Sequence, residues 1–268
     1  MKIIGATALV TGASRGIGLA TAHALHRRGA SVGLIARNGE ELAQVGGGLG
    51  DRCAWAVADV ADGEALEAAI AQIAGQLGPV DILVNNAGIG AYAAVLEETN
   101  ETFEHLIRVN YLGTVYATRA VLPAMAERGR GHIVNVASVA GRVGAPFEAA
   151  YSASKFAVVG FTESLAAEVQ GFGISLSLVN PGPVETHFTE ARGVAFQRKY
   201  PRPLGATRIA DAVVAAIEDD RFEQTLPRWL RTGSVVRAIA PGLYRRGLLR
   251  DSRREARSLV RRFRATER

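Results

Sequence analysis

Two residues four positions apart, Tyr151 and Lys155, could share a proton-transfer function, because residues at this spacing lie one turn apart on one face of a helix. A free tyrosine has a pKa of about 10, too high for a ready base at neutral pH, but a neighbouring ammonium favours the phenolate and lowers that pKa. Taken alone, such a pair is more often a half-buried aromatic beside a surface lysine. The case for chemistry therefore depends on other residues.

Two further polar residues fit the same chemistry. Ser138 comes directly after a strand candidate, where its hydroxyl can donate a hydrogen bond to a substrate oxygen. Asn110 lies in a separate helix candidate, where its amide can hold a water molecule for proton relay. Together with Tyr151 and Lys155 they form the predicted catalytic set.

A glycine-rich turn follows the first strand candidate and opens a helix. It places Gly12, Gly16 and Gly18 in the segment Thr11-Gly12-Ala13-Ser14-Arg15-Gly16-Ile17-Gly18. Such a turn lets the backbone approach a pyrophosphate, and helix N-terminal amides favour an anion. The spacing differs from Gly-x-Gly-x-x-Gly, so the turn alone fits an ordinary glycine-rich loop as well as a dinucleotide site.

The end of the second strand candidate bears on the choice of dinucleotide. NAD-binding sheets usually place an acid there to accept the ribose 2′-hydroxyl, but this chain has Ala36 followed by Arg37. Arg15 and Arg37 could together clamp a 2′-phosphate through charge-assisted hydrogen bonds, which predicts NADP(H) as the cofactor. The alternative is that both arginines are solvated surface charges.

Two short segments after later strands are compatible with the same site. Asp59 and Val60 follow the third strand candidate and could meet an adenine, although an aspartate there could equally cap a helix. Asn86, Ala87 and Gly88 follow the fourth strand candidate and could pin neighbouring backbone groups, or simply form a turn.

Apolar runs and Ala-rich segments of helical period alternate over residues 1 to about 182, which predicts an α/β fold with a doubly wound parallel sheet flanked by helices. The predicted strands, each expected to be buried on both faces, are Thr7 to Val10, Ser31 to Ile35, Ala54 to Ala58, Ile82 to Val84, His132 to Val136 and Ser175 to Val179. The predicted helices are Gly18 to Arg28, Gly63 to Gln76, Asn100 to Glu127, Tyr151 to Phe172 and Ile209 to Asp219. Gly46-Gly47-Gly48 is interpreted as a surface loop. We expect one domain over 1–268, with a core of 1–220 and a basic helical extension of about 221–268.

At this point the sequence resembles the short-chain dehydrogenase/reductase family, in motifs that run in the family's order over residues 1 to about 190. The matching elements are Thr11-Gly12-x-x-x-Gly16-x-Gly18, Asp59-Val60, Asn86-Ala87-Gly88, Asn110, Ser138, Tyr151-x-x-x-Lys155, and Pro181-Gly182 with Thr186. The resemblance implies a Rossmann-type fold and hydride transfer between a nicotinamide cofactor and a carbonyl or alcohol.

The resemblance also implies individual roles. Tyr151 would be the general acid in ketone reduction, Lys155 would lower its pKa and bind the nicotinamide ribose, Ser138 would polarise the carbonyl, and Asn110 would anchor the relay water. A substrate lid is expected at about 185–204, and Ala91 to Leu96 and Gly144 to Phe147 are expected to add apolar walls to the pocket. The residues expected to bind the cofactor are Gly12, Ser14, Arg15, Gly16, Ile17, Gly18, Arg37, Asp59, Val60, Asn86, Ala87, Gly88, Tyr151, Lys155, Pro181, Gly182, Val184 and Thr186. No metal is expected.

The chain departs from family members that reduce acyl-carrier-protein thioesters, because it lacks their closing Thr-Gly-Gln and Val-Asp-Gly-Gly segments. We therefore expect a hydrophobic ketone or secondary alcohol as substrate. A 3-oxoacyl-thioester reductase is the alternative within enzymes, and a non-catalytic NADPH-binding sensor or scaffold is the alternative outside them. The resemblance further implies a homo-oligomer, a dimer or tetramer.

Composition sets the remaining expectations. The single cysteine, Cys53, and the lack of a signal-peptide pattern favour a cytoplasmic protein. The net charge of +5 comes from residues 221–268, which carry +10 and so leave −5 for residues 1–220. Ala256, Leu259, Val260 and Phe263 recur at helical spacing among arginines, which predicts a basic amphipathic helix. It could pack on its own domain or a partner subunit, lie on an anionic membrane surface, or be frayed; nucleic acid is not expected, since no aromatic platform interleaves the charges.

Overall fold

The computed structural model describes residues 1–186, 188 and 202–266. In these residues the strands are β1 (Thr7–Thr11), β2 (Ser31–Ala36), β3 (Cys53–Val57), β4 (Ile82–Asn85), β5 (Gly131–Val136), β6 (Ile174–Pro181), β7 (Val184–Glu185), β8 (Leu204–Gly205) and β9 (Glu223–Leu226). The helices are α1 (Gly16–Arg27), α2 (Gly39–Leu49), α3 (Gly63–Leu77), α4 (Asn100–Ile107), α5 (Gly113–Arg128), α6 (Ala149–Glu168), α7 (Ala206–Glu218), α8 (Arg231–Ile239), α9 (Pro241–Asp251) and α10 (Arg253–Thr266).

Seven of these strands form one parallel sheet in the order β3-β2-β1-β4-β5-β6-β9. Ala8 of β1 pairs with Val32 of β2 on one side and with Ile82 of β4 on the other. The chain winds outward from β1 in both directions, so the predicted doubly wound parallel sheet is confirmed. The switch between β1 and β4 opens a crevice at the carboxyl ends of the strands, where ligands bind in such sheets.

Helices cover both faces of the sheet and create two apolar cores. On one face, α1 and α7 pack through residues such as Leu25 and Val213, which are fully buried. On the other face, α3, α5 and α6 contribute residues such as Ile73, Val121 and Leu165. Burial of this apolar area is the main stabilising term of the fold, and it holds the strand ends in fixed positions.

The expectation that every strand is buried on both faces is wrong for β3. Trp55 and Val57 are 38% and 53% exposed, whereas the alternating residues Ala54 and Ala56 are buried. The reason is position, since β3 is an edge strand and its outer face is only partly covered by α2. The apolar run that predicted this strand does not distinguish an edge strand from a central one.

One helix prediction and one loop prediction also need correction. The single helix expected from Asn100 to Glu127 is divided into α4 and α5 by a π-helical turn at Arg108–Leu112. The interpretation of Gly46-Gly47-Gly48 as a surface loop is wrong, because all three residues lie inside α2. The side chain of Asn38 caps this helix by accepting hydrogen bonds from the amides of Glu40 and Glu41, at 3.1 and 3.2 Å.

The glycines of α2 allow a test of this assignment. We expect Gly47→Ala and Gly48→Ala each to raise the free energy of unfolding by roughly 0.5–1 kcal/mol, because alanine is the better helix former. An added Cβ at either position meets nothing within 4 Å. Gly46→Ala is the matched contrast and should not stabilise, because its Cβ would lie 2.7 Å from Trp55 Cδ1. Urea unfolding followed by circular dichroism measures the stability of all three variants. Destabilisation by both Gly47→Ala and Gly48→Ala would contradict a helical α2.

The C-terminal part of the chain is a seventh strand followed by three helices. Strand β9 pairs with β6, and α8, α9 and α10 follow it. The predicted helical extension is therefore observed, but it contains several helices and also the sheet's last strand. Among the helices that the structure describes, none has the length and apolar character required to cross a membrane.

Candidate active site

A cavity of about 910 Å³ lies at the carboxyl ends of the central strands and gathers almost the whole predicted site. The predicted residues that line it are Gly12, Ser14, Arg15, Gly16, Ile17, Arg37, Asp59, Val60, Asn86, Ala87, Gly88, Ser138, Tyr151, Lys155, Pro181, Gly182, Val184 and Thr186. Gly18 and Asn110 do not line the cavity, and each lies just behind its wall. The individual roles of these residues remain predictions; the structure shows that they meet in one place.

The glycine turn is braced from behind by the end of β4. The Asn86 side-chain amide donates to the carbonyl oxygens of Thr11 and Gly12, at 3.0 and 3.3 Å. Thr11 Oγ1 in turn accepts from the backbone amides of Asn86 and Ala87, at 3.0 and 3.1 Å. The pinning role predicted for Asn86 is thus visible, and it fixes the loop that enters α1.

Two of the glycines are required by geometry. Gly12 has a φ of 64°, and a Cβ there would lie 2.9 Å from Ala87 Cα. At Gly18 a Cβ would lie 2.1 Å from the carbonyl oxygen of Gly12, so Gly18 serves helix–turn packing instead of the cavity surface. The first turn of α1 holds no acidic residue and no side chain caps it. This cradle fits the pyrophosphate of a dinucleotide, which small residues and helix N-terminal amides would hold.

Arginine side chains stand at the end of β2, where Ala36 occupies the position of the missing acid. Arg15 Nε donates to Glu41 Oε2 at 2.7 Å, and the same two side chains make a second, shorter contact. This hydrogen bond holds the pKa of the Glu41 carboxyl below its usual range. Arg37 lies 3.9 Å from Asp59 Oδ2 and remains largely exposed at the cavity rim. Glu41 was missed by sequence reasoning, and it competes for one of the two arginines.

Asp59 and Val60 lie between β3 and α3 at the cavity wall. Asp59 Oδ1 accepts from the backbone amide of Ala61 at 2.9 Å, so the carboxylate holds its own turn. The helix-capping alternative does not apply to Asp59, because the N-cap of α3 is Asp62, whose Oδ1 accepts from Ala65 N at 3.1 Å. Both Asp59 and Val60 remain available as wall residues for the ring of a nucleotide.

Tyr151 and Lys155 lie on one face of α6, as their spacing predicted. The Lys155 ammonium is buried, lies 6.0 Å from the centre of the Tyr151 ring, and donates to the carbonyl oxygen of Val136 at 3.1 Å. Burial lowers the pKa of Lys155 to about 8, because desolvation disfavours the charged form. A positive charge next to a phenol favours the phenolate, so this arrangement can exchange a proton near neutral pH.

Ser138 lies two residues after the end of β5 and is the N-cap of a short 3₁₀ turn, Val139–Gly141. Its Oγ accepts from the backbone amide of Ala140 at 3.1 Å, which fixes the oxygen in place. A hydroxyl whose oxygen is held as an acceptor can still donate its own hydrogen. Ser138 can therefore present an O–H group to an oxygen atom bound in the cavity.

Asn110 is fully buried in the π-helical turn between α4 and α5. Its Nδ2 donates to the carbonyl oxygen of Ile89 and to Ser154 Oγ, both at 2.9 Å, and its Oδ1 accepts from Ile89 N at 2.8 Å. Ser154 Oγ donates to the carbonyl oxygen of Tyr151 at 2.7 Å. Asn110 thus ties the loop after β4 to the helix that carries Tyr151. Its part in holding a relay water remains a prediction.

The substrate side of the cavity is largely apolar and includes residues that sequence reasoning missed. Of the two expected walls, Gly144 to Phe147 contributes Gly144, Ala145 and Pro146. Ala91 to Leu96 contributes Tyr92, whereas Val95 and Leu96 are exposed. The missed wall residues are Val143, Leu230, Tyr244, Leu248 and Glu255. Four of these come from the C-terminal extension, whose fold-back onto the site has no sequence signal beyond the helical spacing of Tyr244 and Leu248.

The extension packs on its own domain through polar contacts. Tyr92 Oη donates to Glu255 Oε2 at 2.8 Å, and Arg262 of α10 bonds both carboxylate oxygens of Glu97, at 2.9 and 3.1 Å. Arg237 of α8 donates to the carbonyl oxygen of Arg142 at 2.9 Å. Of the three alternatives for the tail, packing on its own domain is therefore observed for the inward side of α10.

The expected lid at about 185–204 falls mostly outside the described residues. Within the described part, Thr186 and Phe188 line the cavity, and the ring centres of Phe188 and Tyr151 are 5.7 Å apart. A Cβ at Gly16 would lie 3.1 Å from Thr186 Cγ2, so Thr186 packs against the glycine turn.

Comparison with known proteins agrees with this geometry. A family model described as short chain dehydrogenase matches residues 6–195. The dehydrogenase/reductase SDR family member 7B of Rattus norvegicus is 32% identical and the match covers 94% of this chain and 83% of that protein. The 3-oxoacyl-[acyl-carrier-protein] reductase FabG of Escherichia coli is 36% identical, with 82% of this chain and 93% of that protein covered.

Solved structures show the same likeness. A short chain dehydrogenase/reductase from Burkholderia phymatum, in complex with NAD, superposes with a TM-score of 0.83 at 28% identity, covering 91% of this chain and 96% of that one. An actinorhodin polyketide ketoreductase with NADPH gives a TM-score of 0.76 at 33% identity, covering 84% and 97%. The motif order, the sheet and these matches agree, and the chain belongs to the short-chain dehydrogenase/reductase family of oxidoreductases.

Proposed function

We propose that this protein is an NADP(H)-dependent oxidoreductase that interconverts a hydrophobic ketone and the corresponding secondary alcohol, with Tyr151 as the general acid and base. The observation that carries the proposal is the position of Tyr151, Lys155 and Ser138 in the same cavity as the glycine turn of β1 and α1. The glycine turn would hold the pyrophosphate of the nucleotide, whose nicotinamide would supply the hydride.

The chain's own residues would act on the substrate oxygen. In ketone reduction, Ser138 donates a hydrogen bond to the carbonyl oxygen, and Tyr151 donates the proton that turns this oxygen into a hydroxyl. Lys155 favours the phenolate that remains, and its ammonium would bind the ribose hydroxyls of the nicotinamide nucleotide. The bound nicotinamide supplies the hydride, and the protein supplies position and electrostatics.

The apolar wall supports a hydrophobic substrate. Val143, Leu230 and Leu248 line the cavity, together with Tyr244 and Phe188. A ligand that buries alkyl or ring surface gains about 25 cal/mol per Å² of apolar area against such a wall. A small polar ketone would leave most of this wall in contact with water.

The 3-oxoacyl-thioester alternative is favoured by the Escherichia coli relative named above. A panel of cyclic, aliphatic and aromatic ketones and 3-oxoacyl thioesters, followed by absorbance of the reduced nicotinamide with both cofactors, separates the alternatives. We expect turnover of hydrophobic ketones with NADPH. Higher kcat/KM for thioesters would select the alternative enzyme, and tight NADPH binding without any turnover would select a non-catalytic sensor.

The preference for NADP(H) makes Arg37 a specificity residue. We expect Arg37→Ala to raise KM for NADPH roughly tenfold and to change KM for NADH little, because a charge-assisted hydrogen bond to the 2′-phosphate is lost. Steady-state kinetics with both cofactors measure the change, and Arg27→Ala, on the exposed side of α1, is the matched control. Equal effects on both cofactors, or a wild-type preference for NADH, would remove the 2′-phosphate clamp.

Glu41 should oppose that clamp. Its carboxylate holds Arg15 and adds a negative charge at the rim where the 2′-phosphate would lie. We expect Glu41→Gln to lower KM for NADPH severalfold, since Gln preserves the reach of the side chain at the start of α2 but removes the repelling charge. The same kinetics test it, and a rise in KM for NADPH alone would mean that Glu41 positions Arg15 for the phosphate.

We also propose a homo-oligomer, supported by the family resemblance, which implies subunit contacts through the long helices from about Asn100 and from Tyr151. These correspond to α4–α5 and α6. Light scattering coupled to size exclusion gives the subunit number, and a monomer at micromolar concentration would contradict the proposal.

A further inference from the structure

The outward side of α10 is a row of arginines. Five arginines project from the same side of the helix, opposite Leu259. They are Arg253, Arg254, Arg257, Arg261 and Arg264, and are called here the arginine face. All five side chains are exposed. At 1.5 Å per residue they span about 17 Å of helix length.

The two sides of α10 differ in how their charges are used. On the inward side, Glu255 and Arg262 bond to Tyr92 and Glu97 of the domain body. Among the described residues, by contrast, no acidic side chain forms an ion pair with any member of the arginine face. The helix is therefore anchored through one side and presents uncompensated positive charge on the other.

Apolar side chains border this charge. Val260 and Phe263 of α10 are 49% and 47% exposed, and Leu249 at the end of α9 is 59% exposed. A helix side that faces only water gains no stability from apolar side chains that remain exposed beside its charged residues. A helix with arginines on one side and partly exposed apolar residues at the border fits the interface between lipid headgroups and acyl chains.

We propose that the arginine face binds the surface of an anionic lipid membrane, with the bordering apolar side chains entering the headgroup region. Charge complementarity selects an anionic surface, and each arginine contributes about fivefold to binding near such a surface. The apolar border holds one aromatic ring among its three side chains and so favours lipid over nucleic acid, which would require several aromatic platforms interleaved with the charges.

The same extension carries part of the cavity wall. Leu230 precedes α8, and Tyr244 and Leu248 belong to α9, so the helices that precede the arginine face also line the substrate side of the site. Binding through α10 would hold that wall close to the membrane surface. Resting on the proposed function, this inference makes a membrane-dissolved, long-chain apolar ketone or alcohol the substrate class.

Sedimentation with vesicles tests the docking without any need for turnover. The full chain is mixed with phosphatidylcholine vesicles that contain, or lack, one third phosphatidylglycerol. We expect binding only to the anionic vesicles and a loss of at least about 100-fold when all five arginines of the face are changed to glutamine, with weaker binding at high salt. Circular dichroism and turnover of a water-soluble ketone should be unchanged in this variant.

A matched variant separates the arginine face from net charge. In this control, five exposed arginines of the domain body are replaced by glutamine, which removes the same amount of charge. They are Arg27, Arg108, Arg119, Arg202 and Arg208. This control should bind vesicles like the wild type. The proposal is overturned if the wild type ignores anionic vesicles, if both variants lose equally, or if a fluorescent RNA is bound more tightly than the vesicles. If the wild type binds anionic vesicles but turns over no ketone, the result would count against the proposed function alone.

Discussion

Replacing Tyr151 with phenylalanine is expected to lower kcat by roughly 10²–10⁴-fold while leaving the affinity for NADPH close to that of the wild type. The substitution removes only the phenolic oxygen, so the ring can keep its packing against Phe188 and the Lys155 ammonium stays in place. What is lost is the proton that the carbonyl oxygen must receive. Stopped-flow absorbance of the reduced nicotinamide measures the rate, and quenching of intrinsic fluorescence measures cofactor affinity.

Tyr116→Phe is the control for this experiment. Tyr116 is a half-buried tyrosine of α5 that lies against Gly63 and outside the cavity. It should leave both kcat and affinity unchanged, since no substrate group meets its hydroxyl. Substantial residual activity in Tyr151→Phe would show that another group delivers the proton. A large loss of NADPH affinity in the same variant would show that the phenol serves binding and would remove the general-acid role.

The sheet could be predicted from sequence because its central strands are short apolar runs with no competing interpretation. Strand β9 could not, because Glu223-Gln224-Thr225-Leu226 contains one apolar residue, and only pairing with β6 makes it a strand. Its Glu223 accepts from Arg142 Nε at 2.9 Å and from Asn180 Nδ2 at 2.7 Å, so polar partners satisfy it. An edge strand defined by tertiary partners leaves no periodic signal.

Helix α2 was missed although a local signal existed. Asn38 followed three residues later by Glu41 is a pattern typical of a helix N-terminus, in which the first side chain caps the helix and the second reaches back toward it. In the structure, Asn38 Nδ2 donates to Glu41 Oε1 at 2.7 Å. The three consecutive glycines outweighed this pattern. Because Glu41 also bonds Arg15, the missed helix hid a residue of the cavity rim.

The meeting of Tyr151 and Lys155 could be predicted because short-range spacing brings the two side chains together, whereas the apolar wall of the cavity depends on a fold-back over 100 residues or more. Tyr151 and Lys155 need only one helix to share a face. Tyr244 of α9 reaches Gly144, whose carbonyl oxygen lies 3.5 Å from its hydroxyl, only after the chain has completed the sheet. Shape and polarity of a pocket built in this way are tertiary properties, which residue patterns do not encode.

Lys155→Met is expected to lower kcat by roughly 100-fold and, at the same time, to raise the free energy of unfolding of the cofactor-free protein at pH 7 by about 2 kcal/mol. Activity falls because the phenol loses the charge that favours its ionised form. Stability rises because the buried ammonium is disfavoured: its pKa is about 8 in the folded protein against an ordinary 10.5. That difference corresponds to about 3 kcal/mol, offset by about 1 kcal/mol for the lost hydrogen bond to Val136.

The sign of the pH dependence makes this stability gain testable. Between pH 8 and 10.5 the unfolded chain holds the Lys155 proton and the folded chain has released it, so this group makes the wild type more stable as pH rises through that window. The advantage of Lys155→Met should therefore be full below pH 8 and vanish toward pH 10.5. Denaturant unfolding at several pH values measures it, with the exposed Lys2→Met as a control that should change stability by less than about 0.5 kcal/mol. A methionine variant less stable than the wild type at pH 7 would mean that the ammonium stabilises the fold even without cofactor, which would contradict its role as a charge held at a cost for catalysis.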